Sequence, residues 1–259
     1  MKIAIGVSYC GAGLEGWQSQ PSGNTVQDHL ERALSEIGGE QIALTAAGRT
    51  DSGVHASAQV AHFDTGAHRP ESAWVRGVNA LLPAGIAVQW AAPVSEDFHA
   101  RYSATSRTYR YVLYNRAIRP ALFAGRAGWF HLPLDLEKMR EAAKCLVGEH
   151  DFSSFRSAEC QAKSPVRIVQ SVAIRASGAY FLFDVTANAF LHHMVRNVIG
   201  SLVYVGKGKH PPAWMGELIK ARDRSRAAPT FPAEGLYLSR VQYEARWKLP
   251  AFPDMMPFD

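Results

Sequence analysis

Asp51 lies in the stretch Ala47-Gly48-Arg49-Thr50-Asp51-Ser52-Gly53-Val54-His55-Ala56, where one carboxylate is set among small and turn-forming residues. Gly48 and Gly53 let the backbone turn tightly and approach a ligand closely. Small neighbours leave room above the carboxylate for a planar ligand. Arg49, two positions earlier, can pair with Asp51 and favour its ionised form. A carboxylate aimed in this way is a nucleophile or a base. The same residue types also build an ordinary Asx turn in a surface loop. The chemistry of the decapeptide alone leaves both readings open.

Three further groupings carry possible chemistry. Tyr109 and Tyr111 share one face of a strand-like segment with Arg107. Aromatics and arginine on a strand face can stack bases and hold phosphates, and tyrosine is also simply a good sheet residue. His192-His193-Met194 and Arg196 form the second group. Adjacent histidines on a helix diverge by about 100°, so they are expected to serve the core or a cap rather than to chelate one ion. The third group is basic: Lys220, Arg222, Arg224 and Arg226 around Asp223, and similarly Arg116, Arg119 and Arg126. Each run reads as a phosphate-binding ridge or as a solvated surface. The chain has no P-loop, and no nucleotide cofactor is expected.

The Asp51 decapeptide resembles the signature of the tRNA pseudouridine synthase A family, A-G-R-T-D-x-G-V-H-A. The likeness continues in order along the chain. Gly16-Trp17-Gln18-Ser19-Gln20 and Thr25-Val26-Gln27 precede it. Phe98-His99-Ala100-Arg101-Tyr102-Ser103-Ala104 and Arg107-Thr108-Tyr109-Arg110-Tyr111 follow it. Asp151 to Arg156, Ala187 to Asn197 and Ala233-Glu234-Gly235-Leu236-Tyr237-Leu238 complete a match from about residue 3 to residue 243. Collinear motifs are more specific than one pattern. Two departures stand out: Tyr9-Cys10-Gly11 replaces the usual Y-D-G, and Leu14 occupies a position where an aromatic is common.

The resemblance implies an isomerase that converts uridine to pseudouridine at positions 38–40 of the tRNA anticodon stem-loop, on a flipped-out nucleotide. It implies no cofactor and no metal. Asp51 becomes the nucleophile at C1′ or the base at C2′, and Arg49 helps hold the flipped conformation. Tyr109 stacks on the uracil, Arg196 pairs with Asp51 or a phosphate, and Leu236 walls the pocket. Arg107 is a further substrate-binding candidate. The family also implies a homodimer with one tRNA laid across both subunits.

These residues need elements to position them. Ile3, Ile5, Val7 and Tyr9 alternate with small or polar residues, as in a half-buried strand. Thr25 opens a helix with Asp28 as its capping pair, and Gly38-Gly39 ends it. Residues 42–46 read as a strand running into the Asp51 loop, and 59–63 as one leaving it. Residues 71–82 look helical up to Pro83, and 86–94 form a fourth strand. This order, strand-helix-strand-strand-helix-strand, is the ferredoxin-like pattern.

The second half repeats it. A strand covers 106–115, a helix begins after Asp135, and a hairpin turns at Ser177-Gly178. Helices follow around Leu191–Val205 and Trp214–Ile219, and a last strand covers 236–243. The expected class is α+β. The resemblance implies that two βαββαβ halves, 1–104 and 105–246, join into a continuous, mostly antiparallel sheet with the active cleft between them. Residues 247–259 are expected to form a loosely attached tail.

Composition narrows the rest. A chain of 259 residues with 47% hydrophobic residues can bury a sizeable core. A net charge of +5 suits a polyanionic partner without requiring one. Cys10, Cys145 and Cys160 form no metal-like spacing and fit a reduced compartment. With no long apolar run, a cytoplasmic protein away from membranes is expected. Two other classes fit the sequence less well. A non-catalytic protein of two RRM-like units lacks the RNP1 pattern, and a nucleoside hydrolase lacks an acidic metal cluster.

Overall fold

The alternation of small and branched residues in Lys2–Tyr9 makes the first strand, β1, of a computed structural model that describes residues 1–253. Helix α1 (Val26–Gly38) starts where expected. The Thr25 side chain accepts from the Asp28 amide, Asp28 accepts from the Thr25 hydroxyl at 2.6 Å, and Gly39 closes the helix in the left-handed region. Strands β2 (Thr45–Ala46), β3 (His55–Asp64) and β4 (Ile86–Val94) follow. Between β3 and β4 lie a π-type turn, Ala73–Gly77, and the short helix α2 (Val78–Leu81). The expected strand 42–46 is only two residues long, and the expected 59–63 strand begins four residues earlier.

Two compact units divide the chain. The first comprises Met1–Thr105 together with the residues from Tyr237 onward. Its sheet runs β4-β1-β3-β10, where β10 is Leu236–Tyr243 and β2 also pairs with β3. β1 is antiparallel to both neighbours, whereas β10 runs parallel to β3 through Tyr237–His55 and Leu238–Ala56. The sequence pattern groups residues 105–246 in a second domain. Here β10 returns to the first unit, because two-residue β2 leaves most of the β3 edge to be paired.

β1 is covered on both faces rather than half-buried, since Ala4 and Ile5 both have no exposed surface. Its far face carries a core of Ala4, Val60, Trp90, Phe98 and Trp247. The Phe98 and Trp247 rings meet edge-on with centroids 5.2 Å apart, and Phe252 meets Trp90 at 5.4 Å. The start of the expected loose tail is therefore packed. The remainder of that tail, 254–259, lies outside the described residues.

The second unit, Ser106–Leu236, is built on β5 (Ala104–Asn115). Its sheet runs β5-β9-β8-β7, with β9 at Tyr180–Ala187, β8 at Val166–Ser177 and β7 at Gly148–Asp151. These pairs are antiparallel, and the β8–β9 hairpin turns at Gly178, whose φ is 58°. The short strand β6 (Gly128–Phe130) lies parallel to β5. β6 and β7 were not expected: three and four residues are too short to show a period.

Helices α3 (Leu136–Ala143), α4 (Met194–Gly206) and α5 (Trp214–Ala221) complete the unit, and Asp135 caps α3 as expected. Both units are α+β, with mostly antiparallel sheets and flanking helices. Among the described residues, no helix is long and apolar enough to cross a membrane. The three cysteines are free.

Candidate active site

The Asp51 loop is held from both sides by the segment that follows β1. Thr50, buried just before Asp51, accepts the Trp17 amide on its carbonyl at 3.0 Å. Its hydroxyl lies 2.8 Å from the Tyr9 phenol. Past the aspartate, the Gly11 amide donates to Nδ1 of buried His55 at 2.9 Å. That imidazole stacks on Tyr237 with centroids 4.5 Å apart. The Ser52 hydroxyl donates to Leu14 O at 3.1 Å, and Gln59 Nε2 donates to Gly48 O at 2.7 Å.

Two glycines make this close approach possible. A Cβ on Gly16 would lie 2.7 Å from Thr50 O, and Gly16 has φ 88°, a conformation that disfavours side chains. A Cβ on Gly11 would lie 2.1 Å from Val54 O. The loop itself closes through Val54 N donating to Asp51 O at 3.1 Å, with Gly53 at φ 78°. A backbone fixed by this many contacts aims one half-buried side chain, that of Asp51. A mobile surface Asx turn has no such frame.

Arg49 is exposed. Its charge faces solvent, where a phosphate can reach it. Burial pushes the Tyr9 phenol above its ordinary value, against the smaller opposing effect of its bonds to Thr50 and Gln59. It therefore remains a neutral hydroxyl beside Thr50. Neither Tyr9 nor Gly11 was singled out by its chemistry in the sequence. Their signal was the Tyr9-Cys10-Gly11 and Gly16-Trp17-Gln18 blocks, which act by positioning.

The second unit carries the other candidates. Tyr109 is 9% exposed on β5, and Phe190 meets its ring edge-on at 5.0 Å. Arg107, two residues before it, donates from Nη1 to Asn188 O at 2.9 Å. Arg196, in the first turn of α4, donates from Nε to Phe231 O at 2.8 Å. Leu236 is 5% exposed at the start of β10. Segment 187–190 thus meets the side chains of both Arg107 and Tyr109.

His192 and His193 do not lie within a helix. His193 precedes α4 in the left-handed region, and the two imidazole centroids are 4.0 Å apart. The divergence expected of helical neighbours does not apply, because the helix begins one residue later.

The basic run 220–226 also resolves into parts. Arg224 donates to Asn197 Oδ1 at 3.0 Å, Thr230 Oγ1 at 3.1 Å and Ala228 O at 2.9 Å, so it braces the fold. Arg222 lies 3.4 Å from Asp151. Lys220 and Arg226 are exposed.

With this geometry in view, comparison with known proteins identifies the class. The profile of the family described as tRNA pseudouridine synthase matches residues 6–103 and 142–244. The chain belongs to that family, which makes it an isomerase of tRNA uridines. It is 58% identical over 250 residues to the tRNA pseudouridine synthase A of Dechloromonas aromatica, covering 96% of this chain and 95% of that one. Identity to the protein of the same name from Thiobacillus denitrificans is 55% over 258 residues, covering 100% of this chain and 99% of that one. For the Nitrosomonas eutropha protein it is 56% over 257 residues, with 99% and 93% covered.

Proposed function

We propose that this enzyme isomerises uridine to pseudouridine at positions 38–40 of the tRNA anticodon stem-loop, with Asp51 as its catalytic carboxylate. The observation that carries the reading is the Asp51 loop. Hydrogen bonds from both flanks and glycine-only approaches fix its backbone, and the aspartate is its one carboxyl side chain. Catalysis depends on such prior positioning.

The reaction breaks the N1–C1′ bond, turns the uracil and forms a C5–C1′ bond. The proton on C5 is released and N1 gains one, so no redox partner or energy source is required. Asp51 either attacks C1′, giving a glycosyl ester that C5 then displaces, or removes the C2′ proton to give a glycal. Attack at C1′ parallels a retaining glycosidase, with uracil in place of water as the second nucleophile.

The target must leave the stack to be reached, and unstacking costs a few kcal/mol. Exposed Arg49 offers a charge for the displaced backbone. Tyr109 stacks on the uracil, Arg107 and Arg196 supply positive charge for phosphate or carboxylate, and Leu236 gives an apolar wall. The protein works in the cytoplasm as a homodimer with one tRNA across both subunits. A two-fold symmetric contact is the default for such an assembly.

Mapping pseudouridine in total tRNA from cells with and without this protein tests the proposal. Loss confined to positions 38–40 is expected. Loss at other positions, with 38–40 intact, would overturn the site assignment while leaving the reaction class.

A further inference from the structure

Residues 115–134 contain Arg116, Arg119 and Arg126 and no Asp or Glu. The chemistry above uses none of these arginines. In the second unit this segment walls a cavity of about 530 Å³. Arg119, Pro120, Gly125 and Trp129 line one side, and Pro232 and Glu234 come from the segment leading to Leu236.

Both walls rest on Tyr111. A Cβ on Gly128 would lie 2.1 Å from the Tyr111 hydroxyl oxygen, and one on Gly235 would lie 2.6 Å from its ring. The Tyr111 hydroxyl donates to Pro232 O at 2.9 Å. Trp129 is 39% exposed, and its indole N–H donates to Arg116 O at 2.8 Å. The cavity is therefore built by glycine-only contacts rather than left by a loose loop. Tyr111 lies two residues beyond Tyr109 on β5, and Glu234 lies two residues before Leu236. The cavity's walls thus rest on the strand that carries Tyr109 and on the segment that leads to Leu236.

We propose that this cavity takes a second nucleotide of the RNA substrate, a neighbour of the target uridine, with its base on Trp129 and its phosphate on Arg119. The inference rests on the function proposed above. An exposed indole accepts any base by stacking, and an arginine fork matches phosphate oxygens. A segment of three arginines without an acid favours a polyanion.

The test uses the full chain and an unmodified tRNA transcript, with binding read by fluorescence anisotropy and turnover by tritium release from 5-tritiated uridine. Trp129→Ala should raise Kd and KM by about 5-fold or more, the loss of one stacked base, with kcat within about twofold. Trp129→Phe should keep most of the affinity. Arg119→Ala should raise Kd and lower the slope of log Kd against log salt by about 1. Circular dichroism melts check folding. If Trp129→Ala does not fold, Arg119→Ala decides the matter.

If Trp129→Ala and Arg119→Ala keep the Kd, and Arg119→Ala the salt slope, of an active wild type, the cavity does not hold RNA and the inference fails while the function stands. A fall in kcat with unchanged KM overturns it equally. A wild type that neither binds nor modifies tRNA would instead remove the function, and the inference with it.

Discussion

The phenol of Tyr9 lies 2.8 Å from the hydroxyl of Thr50, the residue immediately before Asp51. Strand β1 thereby ends on the loop that presents the aspartate. Tyr9→Phe keeps the ring, which packs against Trp17 at 5.9 Å, and removes the hydroxyl with its bonds to Thr50 and Gln59. Leaving the buried Thr50 hydroxyl short of a partner costs about 1–3 kcal/mol. The expected result is a lower melting temperature together with a kcat reduced by more than any change in KM. Unchanged kcat would show that the loop is held without this bond.

Burial holds His62 well below the ordinary histidine value, at about 4, helped by the nearby charges of His99 and Lys2 and opposed by Asp64. Its Nδ1 accepts the Ala100 amide at 3.1 Å, a bond that protonation of that nitrogen removes. The unfolded chain takes up the proton near pH 6.5, earlier than the folded one, so stability is complete above that pH and falls as the pH drops toward 4. The loss reaches at most about 3 kcal/mol. Denaturant unfolding at several pH values should show this fall in the wild type and a shallower one in His62→Asn. Parallel profiles would place the titration elsewhere.

Trp247 is 9% exposed and packs on Phe98. Trp247→Ala should destabilise the protein by about 3 kcal/mol through the cavity it leaves. A change below about 0.5 kcal/mol, the size expected of an exposed site, would show that the segment after β10 contributes nothing to the first unit.

Much of this arrangement was legible in the sequence, and the omissions have physical causes. Thr25, Asp28 and Gly39 bound α1 by local capping chemistry that any chain shows. The β8–β9 hairpin announced itself through Ser177-Gly178. The return of β10 to the first unit did not, because pairing with β3 depends on contacts some 180 residues apart. The double burial of β1 was missed for a related reason: Ala4 reads as a spacer until Phe98 and Trp247 cover it. Residue type alone leaves the roles of Asp51 and Tyr109 open, and the resemblance to a family is what selects them, whereas Gly11, Gly16 and Tyr9 matter through distances that sequence does not carry.

Tyr109 tests the assignment to the uracil. Tyr109→Ala should weaken tRNA binding by roughly 1–3 kcal/mol, the loss of a stacked base. Tyr109→Phe keeps the ring, so a drop in rate much larger than the drop in affinity would mark the hydroxyl as a proton-transfer group. Near-normal steady-state kinetics for Tyr109→Ala would remove this residue from the site.

The central claim is that Asp51 performs the chemistry. Asp51→Asn preserves shape and removes the nucleophilic oxygen. Binding comes mainly from phosphate contacts and should survive within a few-fold. The decisive measurement is tritium release from 5-tritiated uridine in an unmodified tRNA transcript, with the variant at concentrations above its measured Kd. Release at background, with binding retained, is the predicted result. Substantial release by the purified variant would contradict the account and pass the role to another group.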